Sequence, residues 1–345
     1  MNFVRQGKMS KRVIFATNDR GYRFLKVAVY SLVTHVDPSG GYEICVLEGE
    51  GGVSAENKSD LERVVSGRFP VRWIDVDPYL DAHREELLRI NRGRTLMIWA
   101  RIFCGDVFGD SDENMLYLDT DVLVAGDLGE IFDTDLGADL VGMVPEDGRG
   151  ERLRGRLFDR EYMPSGAMVY CNAGMMLFNP AAWRRENVGA RLLAWGLGCP
   201  QAKLRDQDAV NVVLWNRIRV LPTKWNYHDG WVERSLKLSV RDRVWLGNDP
   251  LDVLEAIRSP RILHYWGARK PWKFNHRPER LRYELAMRDL GMVDGGLEGA
   301  TFFRRVGLPF WDGVHGLIKA FDRMRLNRLR KKRDAAGDKT GSRGK

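Results

Sequence analysis

Apolar residues over the first 75 positions alternate between two spacings. Short continuous apolar runs at residues 12–16, 43–47 and 71–75 predict buried strands. Between the first two, Leu25, Ala28, Val29, Leu32, Val33 and Val36 recur at helical spacing and form one apolar stripe. Between the second and third, Ser54 has the chemistry of a helix N-cap for a helix running to about Ser66. This β-α-β-α-β order predicts an α/β fold with a mostly parallel sheet flanked by helices. In such sheets ligands sit at the carboxyl ends of the strands. Further along, the pattern predicts a helix over 95–107 and a strand over 114–118. Strands over 140–144 and 174–178, a helix over 206–216 and a short strand ending at His264 follow. Residues 147–155, rich in Gly and Arg, read as a mobile loop. After Pro278 the pattern changes to helices and aromatic-rich loops, and from Asp334 to a polar tail expected to be disordered. The expected organisation is a main domain over 1–275, a helical extension over 276–333 and a tail over 334–345.

Composition changes the picture in three places. Hydrophobic residues at 44% and charged residues at 30% are ordinary for a globular chain. No run of eighteen apolar residues occurs, and residues 1–12 lack the apolar segment of a secretory signal. Cys45, Cys104, Cys171 and Cys199 are widely spaced, which fits reduced thiols better than a disulfide framework or a zinc knuckle. The net charge of +8 resides wholly in residues 313–345, which hold eleven Lys or Arg against three Asp. A neutral body is not what a nucleic-acid-wrapping surface requires, so no nucleic-acid partner is expected.

Dinucleotide, P-loop and zincin fingerprints are all absent from the sequence. The strongest positive feature is Leu116-Tyr-Leu-Asp-Thr-Asp-Val122, an apolar run ending in Asp119 and Asp121. Side chains at i and i+2 of a strand project to the same side, and two close carboxylates repel unless a cation lies between them. Oxygen ligands of this kind suit Mg²⁺ or Mn²⁺. A turn carrying two solvated acids is the other reading of such a pair. The second feature is the run from Ile262 to Trp272, in which His264 ends an apolar strand, Gly267 permits close backbone approach and Lys270 offers a compact charge for phosphate. A histidine in such a place also serves as a core residue. Arg101 is the only charge between Leu96 and Gly105, so it needs an anionic or hydrogen-bonding partner.

These two motifs, with three further segments in order over about residues 13–273, resemble glycosyltransferase family 8. That family includes glycogenin, bacterial lipopolysaccharide α-galactosyl- and α-glucosyltransferases and plant galacturonosyltransferases. The resemblance implies a GT-A fold, Mn²⁺ (or Mg²⁺) dependence, a UDP-sugar donor and retention of anomeric configuration. By position, Asp119 and Asp121 match the metal-binding D-x-D with Thr120 between them, and His264 matches the third protein ligand. Gly267 and Lys270 match the segment that holds the diphosphate, while Ala16, Thr17, Asn18 and Asp19 fall where the family recognises uridine. Arg101, Asn172, Ala173 and Gly174 match donor-binding positions. Asp206 matches the residue that binds sugar hydroxyls, and Gln207 one that lies near the reacting carbon. For Asn172 a turn residue and for Asp206 a helix cap are the other readings. Two departures stand out. Tyr22, the nearest candidate for stacking on the base, is one residue late, and Glu146 stands where bacterial members have an Asp that contacts the acceptor.

The expected activity is therefore hexose transfer from a UDP-sugar to an acceptor hydroxyl of a glycan or glycolipid, in bacterial lipopolysaccharide or other cell-surface glycan synthesis. Asp206, Gln207 and Glu146 are the candidate catalytic residues. Because Gln207 is a poor nucleophile, attack from the face of the departing phosphate is favoured over two inversions. The alternatives are a nucleotidyltransferase, which would carry a Gly-rich loop after the first strand, and a noncatalytic module binding membrane or nucleic acid through its basic tail. Val314, Leu317, Ile318, Phe321, Met324 and Leu329 lie along one side of a helix whose other positions and end are rich in Arg and Lys. That pattern predicts docking on an anionic membrane, on the cytoplasmic face.

Overall fold

The structure is a computed structural model that describes residues 11–146, 169–228, 250–267, 270–272 and 279–292. The chain divides into two compact units, Met1–Leu221 and Pro222–Lys345, so the expected division after residue 275 falls inside the second. The expected loop at 147–155, the basic amphipathic segment at 314–329 and the polar tail lie outside the described residues. Among the described residues no helix is long and apolar enough to cross a membrane.

The first unit opens with strand β1 (Lys11–Thr17), helix α1 (Tyr22–His35), strand β2 (Tyr42–Glu48), helix α2 (Ala55–Val65) and strand β3 (Val71–Asp75). Ser54 caps α2 as its chemistry predicts, its side chain accepting from Asn57 N. Two short helices, α3 (Asp77–Asp81) and α4 (Arg84–Asn91), lead to the apolar segment predicted as one helix. It is instead a 3₁₀ helix over Leu96–Phe103 followed by α5 (Cys104–Phe108). Then come β4 (Met115–Leu118), β5 (Val122–Val124), α6 (Gly129–Phe132), β6 (Val141–Pro145), β7 (Cys171–Phe178), α7 (Pro180–Arg185), α8 (Val188–Gly198), α9 (Asp206–Val213) and β8 (Ile218–Val220).

Seven of these strands form one sheet in the order β3-β2-β1-β4-β7-β6-β8. The pairs β1–β2, β2–β3, β1–β4 and β6–β8 are parallel, whereas β7 runs antiparallel to both β4 and β6. The sheet is thus mostly parallel, as the element order predicts, with one reversed strand that periodicity does not reveal. Reversal has a consequence at the carboxyl edge. Met175 pairs with Leu118, so residues 171–174 of β7 extend past the end of β4. Pro145 pairs with Cys171, so β6 delivers Glu146 to the same edge. The ends of β1, β2 and β4, the start of β7 and the end of β6 therefore share one rim.

Ile14, Cys45, Leu47, Met115, Tyr117, Met143, Cys171 and Met176 lie on a fully buried core against Trp99, Ile102, Trp183 and Leu192. Residues i and i+2 of these strands share a face, which explains the alternation within β1, β2 and β4. All four cysteines are free thiols, and burial pushes those of Cys104 and Cys171 up.

The second unit, described by itself, contains helix α10 (Pro250–Arg258), strand β9 (Ile262–His264) and helix α11 (Arg280–Asp289). Thr223 anchors α10 by donating its backbone N–H to Asp252 Oδ2 at 2.8 Å. Tyr227 and Leu263 form a parallel bridge beside β9.

Two glycines of α8 set how near that helix lies to the 3₁₀ segment. A Cβ on Gly189 would meet the Ile102 carbonyl oxygen at 2.6 Å, and one on Gly196 the Trp99 ring at 2.4 Å. Replacing Gly by Ala in a helix gains about 1 kcal/mol of propensity. Overpacking against fixed backbone costs about 1–3 kcal/mol. Gly189→Ala is therefore expected to lower the Tm despite the better helix former. An unchanged or raised Tm would show that α8 withdraws freely.

Candidate active site

The site is built around Arg101, buried on the 3₁₀ helix. Its Nη2 donates to Asp119 Oδ1 at 2.7 Å and its Nε lies 3.0 Å from Asp206 Oδ2, while Nη1 donates to the Ala173 carbonyl. The guanidinium also lies 4.6 Å from the Tyr117 ring centroid. The partner that a lone buried Arg demands is thus a pair of carboxylates, one just after β4 and one on α9. Burial opposes the Arg101 charge, but Asp119, Tyr117, Asp206 and Asp121 more than compensate and raise its pKa. The same burial pushes Asp206 up to about 6, with Arg101 pulling it down and Asp119 pushing it further up.

Asp119 follows the last residue of β4, and Thr120 and Asp121 form the turn into β5. The pair is therefore not held by strand alternation, as the sequence reading supposed. A tight turn performs that task and keeps carboxylate oxygens of the two residues within 4.8 Å of each other. Asp119 N donates to Gly174 O at 2.8 Å, which fixes the turn against β7. Two hard oxygen donors at this separation fit Mg²⁺ or Mn²⁺.

The β7 side carries the expected sugar residues. Asn172 is a strand residue rather than a turn residue. Its Oδ1 accepts from Gly174 N at 2.9 Å and its Nδ2 donates to Gln207 Oε1 at 3.1 Å. Gln207 Oε1 also accepts from Ala173 N at 3.0 Å, and Gln207 Nε2 donates to Glu146 Oε2 at 2.6 Å. Glu146, 3% exposed, is thus brought to Gln207 and braces it. Asp206 is the first residue of α9 and supplies no side-chain cap, because its carboxylate faces Arg101. Sequence reasoning passed over Tyr170 and Asn211 and gave no role to Asp208, the last residue of the matched Asp206-Gln207-Asp208 element. Tyr170 donates to Asp208 Oδ1 at 2.5 Å, and Asn211 Nδ2 donates to the carbonyls of Cys171 and Gln207, both at 2.8 Å. Asn211 lies four residues beyond Gln207, a helical spacing that was legible.

At the ends of β1 and β2 the residues expected to meet uridine are engaged with the protein. Asp19 Oδ1 accepts from Ser54 N at 2.9 Å and Asn57 Nδ2 at 2.7 Å, which lowers its pKa. Thr17 is buried, and Ala16 is half-buried against the core. Asn18 caps the turn after β1, its Oδ1 accepting from Gly21 N at 3.1 Å, while its Nδ2 donates to Glu50 Oε2 at 2.8 Å. Tyr22 does not present a ring for stacking. It is 6% exposed at the start of α1, with its hydroxyl donated to Asp60 at 2.6 Å.

In the second unit His264 ends β9, 3% exposed, with Nδ1 2.9 Å from Asn226 Oδ1. A hydrogen bond to the Asn226 amide oxygen fits the tautomer with the proton on Nδ1. Gly267 has φ +84°, a left-handed backbone conformation that favours glycine. Lys270 Nζ donates to Tyr265 O at 3.0 Å across the same loop.

Replacing Arg101 with Met would leave buried Asp206 and partly exposed Asp119 without the cation between them. Breaking such a pair typically costs about 3–5 kcal/mol. A raised carboxylate pKa means the folded state holds the proton more tightly, so stability from Asp206 is present below its ordinary 3.8 and lost as pH rises towards about 6. Removing the cation moves the upper end of this window higher. Arg101→Met is expected to be strongly destabilised at neutral pH and to recover part of the loss on acidification relative to the parent. Equal losses at both pH values in thermal melts would contradict the assignment.

Comparison with known proteins agrees with this geometry. The glycosyl transferase family 8 profile matches residues 12–276. General stress protein A of Bacillus subtilis (strain 168) is 27% identical over 268 residues, covering 76% of this chain and 87% of that protein. The lipopolysaccharide 1,3-galactosyltransferase of Salmonella typhimurium is 28% identical over 197 residues, 56% of this chain and 54% of that enzyme, so the match spans about half its length. The crystal structure of galactosyltransferase LgtC in complex with donor and acceptor sugar analogues superposes with a TM-score of 0.67 at 25% identity, covering 82% of this chain and 98% of that one. With a GT-A-type sheet whose carboxyl rim carries the acidic pair, and a family match over most of its length, the chain belongs to glycosyl transferase family 8 and is a glycosyltransferase.

Proposed function

We propose that this enzyme transfers a hexose from a UDP-sugar to a hydroxyl of a glycan or glycolipid acceptor, with retention, in cell-surface glycan synthesis of the lipopolysaccharide type. The observation that carries the reading is the convergence of Asp119 and Asp206 on buried Arg101 at the carboxyl rim of the sheet. The lipopolysaccharide galactosyltransferase among the relatives supports the acceptor class. Family membership also favours sugar transfer over nucleotidyl transfer or a noncatalytic role.

In this reading Asp119 and Asp121 would hold Mn²⁺ or Mg²⁺, with His264 as the third ligand that the family motif implies, and the ion would supply Lewis-acid neutralisation of the leaving diphosphate. Lys270 and the Gly267 backbone hold the diphosphate, and Ala16, Thr17, Asn18 and Asp19 form the floor beneath the nucleoside. Arg101, Asn172, Ala173 and Gly174 line the donor sugar, and Asp206 accepts from its hydroxyls. Gln207 bears on the reacting carbon by orientation, because both of its amide ends are already hydrogen-bonded to the protein. That makes it unsuited to nucleophilic attack and favours delivery of the acceptor from the face of the departing phosphate. Glu146, which accepts from Gln207, is the carboxylate on the acceptor side.

Hydrolysis of a panel of UDP-hexoses, with EDTA and with added Mn²⁺, tests this reading. EDTA should abolish turnover and Mn²⁺ restore it. Asp121→Ala should lose at least about a hundredfold in kcat/KM, near 3 kcal/mol of transition-state stabilisation, with little change in Tm. Full activity in EDTA would overturn the metal assignment.

Docking on the inner face of an anionic membrane through residues 313–333 is a separate proposal that rests on their sequence pattern. The full chain should co-sediment with phosphatidylserine vesicles at low salt and release as salt rises. Absence of low-salt sedimentation would end that idea.

A further inference from the structure

A loop at the end of β2 makes contacts that the assigned site residues do not explain. Glu50 has φ +53°, a left-handed conformation that a glycine would adopt without cost, and its neighbours Gly51 and Gly52 are also left-handed. The peptide N–H groups of Glu50 and Gly51 both donate to the Asp77 carboxylate, at 2.6 and 3.1 Å. Gly52 accepts from Asp19 N at 3.0 Å, which ties the loop to the end of β1. The backbone is thus held in place around a residue whose side chain has a specific use.

That side chain joins two elements. Glu50 Oε1 accepts from Leu96 N at 3.0 Å, and Oε2 accepts from Asn18 Nδ2 at 2.8 Å and from the Thr95 hydroxyl. The direction of every hydrogen in this chain is forced. Thr95 Oγ1 already accepts from Met97 N at 3.2 Å, so its own proton points at Glu50. A carboxylate can only accept, so the Asn18 amide must turn its NH₂ towards Glu50. At the other end the Gly21 N–H, a fixed donor, requires the Asn18 oxygen. Flipping the amide would set NH₂ against the Gly21 N–H and oxygen against the carboxylate, two repulsive contacts in place of two bonds. The Asn18 amide is thereby locked in one orientation, with a second lone pair on Oδ1 left at the Gly21 end and its second N–H kept at the Glu50 end.

We propose that Glu50 is a positioning residue for base selection: by locking Asn18 it makes the nucleoside site present an acceptor, selecting a base with a ring N–H, as uracil has, over one whose ring nitrogen accepts, as in cytosine. The proposal rests on the reading of Asn18 as a nucleoside-facing residue. It assigns the discrimination to a residue outside every motif of the chain.

Titration calorimetry of UDP and CDP with Mn²⁺, on the full chain, tests it. The wild type should bind UDP at least about tenfold more tightly than CDP, since a mismatched hydrogen-bonding site rejects strongly. Glu50→Gln introduces a donor opposite Asn18, unlocks the amide and should bring the two affinities within about threefold. Adding Asn18→Asp to Glu50→Gln restores a compulsory acceptor that takes hydrogens from both Gly21 and the new Gln, and should recover the UDP preference. A merely structural Glu50 would not be rescued in this way. The proposal is overturned if Glu50→Gln keeps the wild-type ratio, or if the double variant, folded by its thermal melt, stays unselective. Equal binding of UDP and CDP by the wild type also defeats it and leaves the transferase reading intact. Binding of neither nucleotide would defeat the proposed UDP-sugar donor.

Discussion

The candidate site depends on one buried cation. Arg101 lies between Asp119 of the β4 turn and Asp206 of α9, with Tyr117 against its face. Burying a guanidinium is costly, and it is tolerated because two carboxylates and a carbonyl receive it. The reverse also holds, since two carboxylates brought this close would repel without the cation. Arg101 thereby allows acidic residues from distant parts of the chain to occupy one rim. Its own position comes from packing, because Gly189 and Gly196 let α8 press on the 3₁₀ segment that carries it.

Around this ion pair the reversed strand β7 organises the remaining groups. A fully parallel sheet would put only strand ends at the carboxyl rim. Because β7 is antiparallel, its beginning overshoots β4 and places Asn172, Ala173 and Gly174 beside Asp119. Asn211 and Gln207 then pin α9 to that overshoot through backbone and side-chain bonds. The result is a rim in which amide orientations are determined by their neighbours. Such preorganisation is what electrostatic catalysis requires, since the dipoles need not reorient as charge develops.

The ends of β1 and β2 show the same economy. Asp19 secures the start of α2 through Ser54 and Asn57, and Tyr22 enters the base of α1 with its hydroxyl on Asp60. Groups that resemble ligand contacts in the sequence are here partly structural. The Glu50 loop, which carries no recognisable motif, supplies the partner of Asn18.

Much of the fold and of the site's composition was legible in the linear sequence. Short apolar runs, helical spacing and a cap place β1, β2, β3, α1 and the Ser54-capped α2, because those depend on residues within a few positions of one another. The chemistry of the acidic pair singles out Asp119 and Asp121, the family resemblance adds Asp206 and Gln207, and a lone charge in an apolar segment marks Arg101 as needing an anion. Other properties depend on partners far away in the chain and were decided only by tertiary structure. The reversal of β7 is invisible to a period-2 pattern, which is the same for either strand direction. The 3₁₀ character of Leu96–Phe103 reflects its packing on α8 rather than its apolar spacing. The end of β4 at Leu118, which puts the acidic pair in a turn, follows from pairing with β7. Glu50 is one acidic residue in a glycine-rich loop until the fold brings Asn18, Thr95 and Leu96 to it. Hydrogen-bond direction belongs to assembled groups, so no reading of residue types in order could have supplied it.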